Sequence, residues 1–371
     1  MDIYIDRDEL SRGLARVQGV IERRSTHPLL SHVLLHAREG GLRLTATDTE
    51  VAFIGDLAAN VSQTGQLTVE ASNLFQIVRA MPEATVQLSR TANHRLQIQS
   101  GRTSFELPGF PAEEFPALPA FDQRGSVKVA ERELLRLIEQ THFAVAADDI
   151  RYGLNGVHME ERVVDGEQRL RFVATDGHRL SSAETAAEGA LHLTPRMLVP
   201  KKALAVMKKL LGRSDEKVEL AFGEGAVRLS MPGQTFWFRL LDGEFPDYEA
   251  VVPSDNKVFA LLDRNALLAA LRRVSIVVSE RSKAVRFAFG EDAVQIQVQQ
   301  VDRADMKEDV PLELQGAPIT VGFNARYLQD ILTVLEGDRV RLSLAHPLAP
   351  CLVEDPDASG AFFVVMPMRL D

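Results

Sequence analysis

The chain has 371 residues, which is too many for one ordinary domain and enough for two or three. Hydrophobic residues make up 45% of it and charged residues 25%, a balance typical of globular proteins, and no apolar run reaches the roughly 18 residues of a membrane helix. The net charge of −10 argues against a uniformly basic nucleic-acid binder but leaves room for one locally basic face.

The start of the chain and its cysteine content predict the compartment. Residues 1–5 lack the basic region and apolar core of a secretory signal. The single cysteine, Cys351, has no partner in the chain for a disulfide. We therefore predict a reducing, cytoplasmic location and no association with membranes.

The first third of the chain reads as strand, helix and strands, twice over. Alternating apolar residues predict the strands, and apolar residues at helical spacing predict the helices. In order, the segments are a strand at 3–5, a helix from residue 8, a strand at 42–48, a strand and helix at 69–80, and strands at 86–88 and 96–98.

The same order of elements recurs twice more. The first helix of each copy contains Leu10, Leu134 or Leu267, which are 124 and 133 residues apart. The segments of the later copies are 127–129, 132–138, 170–176, 199–211, 218–220 and 227–229, then 259–261, 265–271, 294–298 and 323–335. We predict three repeated α+β domains at residues 1–122, 123–252 and 253–371, joined by Pro- and acid-rich linkers.

Each domain is expected to place two helices on one face of an antiparallel sheet. Six such domains in a circle would present twelve helices inward, and at about 10 Å between helix axes the hole would be about 28 Å wide. That width admits duplex DNA. Three domains form half of such a closed ring, so two subunits joined head to tail through edge strands are needed.

The helices that would face the hole carry basic residues. Such residues suit phosphate contacts without base reading, although an ordinary solvated helix face is the alternative for any one of them. They are Arg12, Arg16, Arg79, Lys201, Lys202, Lys208, Lys209, Arg272, Arg273 and Arg326.

Two strings are confined to single copies of the repeat. Residues 174–180 read Ala-Thr-Asp-Gly-His-Arg-Leu, whereas the matching residues 47–50 of the first copy read Thr-Asp-Thr-Glu. Residues 364–370, Val-Val-Met-Pro-Met-Arg-Leu, occur only in the third copy. Because a shared folding role would require each string in every copy, we predict that the strings serve a local task.

A catalytic interpretation of the first string rests on Asp176 and His178, a pair that could form a hydrolase dyad. No serine nucleophile elbow, metal-spaced histidine cluster, phosphate-binding loop or dinucleotide fingerprint accompanies the pair. We therefore predict a protein that is not an enzyme and needs no metal or cofactor. A monomeric peptide-binding scaffold and a hydrolase are the alternatives.

With the triplication and the two strings, the chain resembles the β sliding clamps of bacterial DNA polymerase III over its whole length. Supporting matches are Arg151 with Tyr152, residues 154–156, Gly243 with residues 245–248, and residues 322–324 with Tyr327. The resemblance implies a head-to-tail homodimeric ring that encircles duplex DNA without sequence specificity, as the processivity factor of the replicase. The implied partners are the replicative polymerase catalytic subunit, an ATP-driven clamp loader and other proteins with clamp-binding motifs, namely repair polymerases, ligase and mismatch-repair proteins.

The resemblance also implies three sets of site residues. A peptide-binding pocket between the second and third domains comprises Leu154, Thr175, Gly177, His178, Arg179, Leu180, Pro246, Val251, Asn324, Tyr327, Leu348, Val364, Val365, Met366, Pro367, Met368, Arg369 and Leu370. The DNA contacts are Arg24, Arg79, Tyr152, Lys201 and Lys202. The dimer interface contains Phe105, Ile276 and Val277, for which core packing is the alternative.

The sequence departs from the family pattern at five positions. Ala250 replaces a common arginine, Ser282 an aromatic residue and Pro350 a small polar residue, while Asp371 extends the terminus. These four changes bear on peptide preference. Asp148 stands where the family can carry glutamine, which bears on DNA contact at that loop.

Overall fold

The computed structural model describes residues 1–22, 27–146, 152–190, 197–278, 284–298, 305–358 and 360–370, with only the backbone described for Tyr152 and Ala190. The chain forms two compact units. The first comprises Met1–Leu135, Ala187–Leu193 and Lys202–Leu240, and the second Arg136–Ala186, Thr194–Lys201 and Leu241–Asp371. The three domain ranges given above remain a prediction.

Six α-helices occur in the described residues, two in each predicted repeat. Several begin where a strand ends on a capping side chain: Asp6 accepts a hydrogen bond from the Glu9 amide at 2.9 Å, and Asp263 one from the Ala266 amide at 2.7 Å. Such caps satisfy amides that the first turn leaves unpaired. The helices are α1 Arg7–Val17, α2 Ala71–Ala80, α3 Glu131–Thr141, α4 Lys201–Leu210, α5 Arg264–Val277 and α6 Ala325–Val334.

The strands fall in the same repeated order. Those of the first predicted repeat are β1 Asp2–Asp6, β2 His32–Arg38, β3 Gly41–Thr47, β4 Val51–Leu57, β5 Asn60–Gln63, β6 Gly65–Glu70, β7 Thr85–Arg90, β8 Arg95–Ser100 and β9 Thr103–Phe110. The second has β10 Gly125–Ala130, β11 Gly156–Val164, β12 Glu167–Thr175, β13 Arg179–Ala186, β14 Glu188–Ala190, β15 Leu198–Pro200, β16 Lys217–Gly223, β17 Ala226–Met231 and β18 Gln234–Arg239. The third has β19 Val258–Asp263, β20 Ala284–Phe289, β21 Ala293–Val298, β22 Met306–Gln315, β23 Ile319–Asn324, β24 Arg339–Leu344, β25 Cys351–Glu354 and β26 Ala361–Val365.

The first unit contains an antiparallel sheet of fourteen strands in the order β14-β10-β16-β17-β18-β4-β3-β2-β6-β9-β8-β7-β1-β5. Within it, β18 pairs with β4, so that Phe236 lies opposite Phe53. The sheet therefore continues from the first predicted repeat into the second.

The second unit contains an antiparallel sheet of twelve strands in the order β15-β11-β12-β13-β26-β25-β24-β19-β22-β21-β20-β23. Here β13 pairs with β26, and Leu180 lies opposite Val364. This pairing links the second predicted repeat to the third. At both links a strand of one repeat covers the edge of the next, which satisfies backbone groups that an edge leaves unpaired.

The helices bury one face each against these sheets. Leu10 and Leu14 of α1 and Leu74 of α2 are fully buried in the first unit. In the second unit, α5 and α6 lie side by side, and Gln329 of α6 donates a hydrogen bond to the carbonyl of Leu271 at 2.6 Å. These layers confirm the predicted α+β fold with helices on antiparallel sheets. No helix in the described ranges is both long and apolar enough to cross a membrane.

Candidate functional site

The turn that joins β12 to β13 is held by its own side chains. Asp176 accepts hydrogen bonds from the amides of His178 at 2.9 Å and Arg179 at 3.0 Å. The hydroxyl of Thr175 donates to the carbonyl of Arg179 at 2.7 Å. The turn therefore fixes the position of His178 and the place at which β13 begins at Arg179.

The matching turn of the first repeat has the same hydrogen bonds. The hydroxyl of Thr47 donates to the carbonyl of Val51 at 2.9 Å. Asp48 accepts from the amides of Glu50 at 3.0 Å and Val51 at 2.7 Å. The Thr-Asp pair is therefore a folding device that both repeats use.

The difference between the two turns is confined to the residues after the Thr-Asp pair. Gly177 has a φ of 84°, and Thr49 holds the same place with a φ of 80°. Glycine adopts this left-handed region without a Cβ penalty, whereas threonine does not. The features specific to residues 174–180 are therefore the glycine and the side chains of His178, Arg179 and Leu180.

Arg179 ties this turn to α6. Its guanidinium pairs with Asp176 at 3.1 Å and Asp330 at 2.5 Å, and it donates to the carbonyl of Phe143 at 2.7 Å. The group lies 5.1 Å from the centroid of the Phe143 ring and 4.6 Å from that of Tyr327. Only 11% of the side chain is exposed, and most of its hydrogen-bond donors are engaged by groups of the protein itself.

The imidazole of His178 packs on an aromatic ring and not on the predicted dyad partner. Its ring stacks on Tyr327, with centroids 6.3 Å apart and planes 14° apart. Among the described residues, no hydrogen bond joins the imidazole to Asp176, whose carboxylate binds backbone amides and Arg179. The hydrolase alternative lacks the geometry that it needs.

A cavity of about 670 Å³ opens beside this turn in the second unit. Val173, Leu180, Tyr248 and Val364 form a small apolar cluster at this place. The cavity is lined by Gly153, Leu154, Thr175, Gly177, Arg179, Leu180, Gly243, Glu244, Phe245, Pro246, Asp247, Tyr248, Val251, Val364 and Met366. Its mostly apolar walls with a few polar groups are typical of a ligand-binding site.

The cavity brings together half of the predicted pocket residues. They come from a 3-10 turn before β11, from the adjoining ends of β12 and β13 with the turn between them, from the segment after β18, and from β26 with the residue that follows it. They are Leu154, Thr175, Gly177, Arg179, Leu180, Pro246, Val251, Val364 and Met366.

The other predicted residues lie outside this lining. Asn324 is buried and caps α6, accepting from the Arg326 amide at 3.1 Å. Val365 is fully buried in the core. Leu348 is 62% exposed, and His178 and Tyr327 form the stacked pair described above.

The terminal segment packs back on the second unit. The amide of Met366 donates to the carbonyl of His178 at 2.9 Å, and that of Met368 to the carbonyl of Gly322 at 2.8 Å. A Cβ added at Gly322 would come within 3.0 Å of the Leu370 side chain. Pro367 is half-buried, and Arg369 is exposed. Of this segment beyond Val364, only Met366 reaches the cavity.

Six lining residues were not predicted as pocket residues: Gly153, Gly243, Glu244, Phe245, Asp247 and Tyr248. Four of them belong to the sequence matches on which the resemblance rests. The sequence showed that these residues are present but did not predict that they line a cavity. Gly153 has a packing reason, because a Cβ there would lie 2.1 Å from the carbonyl oxygen of Glu244.

Side chains on β11 and β12 hold the segment 243–251 in position. The Tyr248 hydroxyl donates to Glu160 at 2.5 Å and accepts from Arg171 at 3.3 Å. The His158 ring stacks on Phe245 with centroids 5.1 Å apart and planes 9° apart. Because the segment has no strand pairing of its own, these contacts set the position of the wall.

The network changes the acidity of its members. Burial and the hydrogen bond to Glu160 raise the pKa of Tyr248 to about 12. Burial opposes ionisation of Glu160, but its contacts with His158, Tyr248 and Arg171 outweigh burial and lower its pKa below the usual value. The pair therefore stays a neutral phenol donating to a carboxylate at neutral pH.

The predicted DNA-contact residues that the structure describes differ in whether their charge is paired within the protein. Arg79 and Lys201 are exposed, at the last turn of α2 and the start of α4. Lys202 pairs with Asp48 and also donates to the carbonyl of Val20 at 3.1 Å. Part of the Lys202 charge is therefore engaged within the first unit.

The remaining basic residues of the predicted inner face are also surface residues. Two of them form ion pairs: Arg12 with Glu9 at 2.7 Å, and Arg273 with Glu308 at 2.9 Å. The others are exposed except for Arg16, which is half-buried; they are Lys208, Lys209, Arg272 and Arg326.

Some predicted positions cannot be placed. Arg24, Asp148, Ser282 and Asp371 lie outside the described residues. For Tyr152 the backbone alone is described, in the 3-10 turn Tyr152–Leu154.

Two of the predicted interface residues are not core residues. Phe105 on β9 is 41% exposed, and Ile276 near the end of α5 is 78% exposed. Val277 is half-buried against the core of the second unit. Residues 103–108 pair with β8 alone, so their other edge carries no strand in the described part of the chain.

Comparison with known proteins gives matches along the whole chain. The N-terminal, central and C-terminal domains of the DNA polymerase III beta subunit family match residues 1–119, 128–247 and 249–369. The chain is 37% identical to the beta sliding clamp of Caulobacter vibrioides over 373 aligned positions, covering 100% of both chains.

Solved structures agree. A Caulobacter crescentus beta sliding clamp covers 100% of both chains, at 37% identity and a TM-score of 0.92. A sliding clamp from Bartonella birtlesii bound to griselimycin also covers 100% of both chains, at 32% identity and a TM-score of 0.94.

Proposed function

The chain belongs to the DNA polymerase III beta subunit family, the bacterial beta sliding clamps, and on this premise we propose that two copies close head to tail into a ring around duplex DNA. It is a processivity subunit of the bacterial replicase and not an enzyme. The observation that carries this conclusion is the match of all three domain families, in order, along the whole chain.

The joint between subunits is proposed to use β9. The free edge of residues 103–108 offers backbone groups to a strand of the second copy, and the exposed Phe105 side chain lies on that strand. Ile276 and Val277 of the second copy are proposed to cover Phe105. A heterologous contact of this kind closes into a ring when the rotation between subunits permits.

The DNA contacts are proposed to be electrostatic and independent of sequence. Arg79, Lys201, Lys202, Arg24 and Tyr152 remain the proposed contact residues. An acidic chain gains little from free binding to DNA, so retention is proposed to come from the closed ring and not from affinity.

The cavity of the second unit is proposed to be the docking site for the replicative polymerase catalytic subunit, the clamp loader and other partners that carry clamp-binding peptides. Leu154, Leu180, Val251 and Met366 supply an apolar surface for a hydrophobic anchor. The flexible thioether of Met366 suits a site that accepts several related peptides. Because the Bartonella clamp binds griselimycin, we also propose that griselimycin competes for this cavity.

Arg179 is proposed to position the site rather than to grip the peptide through its side chain. Its donors already bind Asp176, Asp330 and the Phe143 carbonyl. His178, Asn324, Tyr327, Leu348, Val365, Pro367, Met368, Arg369 and Leu370 are proposed to form the surroundings of the cavity.

A matched pair of valines tests the docking site. Val251 lines the cavity and is 39% exposed, whereas Val163 is exposed elsewhere in the same unit. Val251→Asp puts a carboxylate into the apolar wall and should weaken binding of a polymerase-derived peptide at least tenfold, a loss of roughly 1.4 kcal/mol or more. Val163→Asp should leave the affinity unchanged. Fluorescence anisotropy of the labelled peptide measures both, and equal affinities for the two variants would refute the site.

A further inference from the structure

One wall of the cavity is acidic. Residues 242–251 read Asp-Gly-Glu-Phe-Pro-Asp-Tyr-Glu-Ala-Val, with four carboxylates and no basic residue. Two of these carboxylates, Glu244 and Asp247, belong to exposed residues that line the cavity. Two exposed carboxylates therefore border a cavity whose walls are otherwise mostly apolar.

The charge of Asp247 is not cancelled by a neighbour. Its side chain makes no hydrogen bond and no ion pair with the residues that the structure describes, whereas Glu249 pairs with Arg162 at 2.8 Å. Asp247 therefore has its full capacity to pair with a group on a ligand.

The one cation among the lining residues does not balance this wall. Arg179 is held by the carboxylates of Asp176 and Asp330, so one positive charge faces two negative charges. These contacts are internal to the protein. Arg179 therefore leaves the negative charge of Asp247 unbalanced.

Building on the proposed docking function, we infer that the cavity selects peptides in which lysine or arginine flanks the hydrophobic anchor, and disfavours peptides with aspartate or glutamate at that place. A flanking cation would lie within reach of the exposed carboxylate of Asp247, and like charges there would repel. Because the carboxylates are exposed, the effect is modest and depends on salt. The apolar anchor supplies the affinity, and the acidic wall of the cavity supplies the preference for basic flanking residues.

The test uses three labelled peptides with one polymerase-derived apolar core and lysine, serine or glutamate on its flanks. At about 50 mM salt the lysine peptide should bind about tenfold more tightly than the glutamate peptide, with the serine peptide between them. At about 500 mM salt the ratio should fall below about twofold. Asp247→Asn should reduce the low-salt ratio about threefold.

Asp292→Asn is the matched control, because Asp292 is exposed in the same unit, loses the same charge and does not line the cavity. It should leave the ratio unchanged. Equal binding of all three peptides, or an equal effect of the two asparagine variants, would overturn the inference while leaving the docking site intact. Failure of all three peptides to bind would instead count against the proposed function itself.

Discussion

Tyr248 shows how a single residue links the cavity to the sheet behind it. Its side chain lines the cavity, and its hydroxyl donates to Glu160 on β11 and accepts from Arg171 on β12. The residue is 6% exposed, so water cannot replace these partners at low cost. The hydroxyl is thus expected to hold the cavity wall in place.

Replacing this hydroxyl should cost stability and affinity together. Tyr248→Phe keeps the ring but removes a hydrogen bond to a charged group, so the free energy of unfolding should fall by about 2 kcal/mol. The binding of a polymerase-derived peptide should weaken several-fold because the wall loses an anchor. Urea denaturation and anisotropy measure the two effects. Tyr4→Phe, at a site that is 42% exposed, is the control and should change neither.

The same residue gives a pH signature. Since the pKa of Tyr248 is raised from 10.0 to about 12 in the folded state, its contribution to stability is fully present below pH 10.0 and is lost as the pH rises toward about 12. The chain has four tyrosines. Phenolate absorbance should show a component titrating near pH 12 that Tyr248→Phe lacks; its persistence in the variant would show that the assignment is wrong.

For single residues, the sequence predicted which residue types form the cavity better than it predicted which way their side chains face. The apolar members of the cavity, such as Leu180 and Met366, could be predicted from strings that resemble the family. Phe245 and Tyr248 could not be assigned to the lining, because a segment without strand or helix period has no predictable inward face. The engagement of Arg179 with Asp330 depends on residues 151 positions apart, which no local pattern reveals.

Among the elements, the two Thr-Asp turns offer a comparison within one chain. They share their hydrogen bonds and their left-handed residue, which is Gly177 in one turn and Thr49 in the other. A β-branched residue in this conformation is strained by roughly 1–2 kcal/mol. The first turn is therefore less favourable than the second for a reason that a substitution can remove.

Exchanging the two residues should have opposite effects. Thr49→Gly relieves the strain and should raise the free energy of unfolding by about 1 kcal/mol. Gly177→Thr introduces the strain and should lower it by about the same amount or more. Thermal unfolding monitors both variants, and a loss of stability in Thr49→Gly would contradict the explanation.

Two neighbouring lysines at the start of α4 differ in their contacts, although nothing in the sequence distinguished them. Lys201 is exposed, whereas Lys202 pairs with Asp48 in the turn between β3 and β4. Lys201→Ala should reduce the slope of log affinity against log salt for duplex binding by about 0.9. Lys202→Ala should reduce it less and should cost up to about 1 kcal/mol of stability. Binding titrations at several salt concentrations measure the slopes, and identical slopes for both variants would contradict the distinction.

The elements themselves were largely predictable, while the sheets that they build were not. The three predicted helix pairs correspond to α1 through α6, because apolar periodicity and strand-to-helix junctions are local signals. The pairing of β18 with β4 joins residues more than 170 positions apart. A register of that kind is set by tertiary packing, so the continuous fourteen-stranded sheet could not be read from the sequence.

For the whole molecule, the net charge of −10 is consistent with a topological mode of binding. A protein that holds DNA by affinity needs many phosphate contacts and releases DNA at high salt. A closed ring needs only to admit the duplex, and it slides when contacts are few and not specific to sequence. The two mechanisms differ in what happens at a DNA end.

Retention on circular and linear DNA is the most direct test of the sliding-clamp account. The protein would be loaded onto nicked circular DNA by its clamp loader and separated from free protein by gel filtration, before and after the circle is cut once. We expect it to elute with the intact circle and, after the circle is cut, to be released as a dimer of twice the 41.0 kDa chain mass. Equal retention on the circular and the linear DNA would contradict the account.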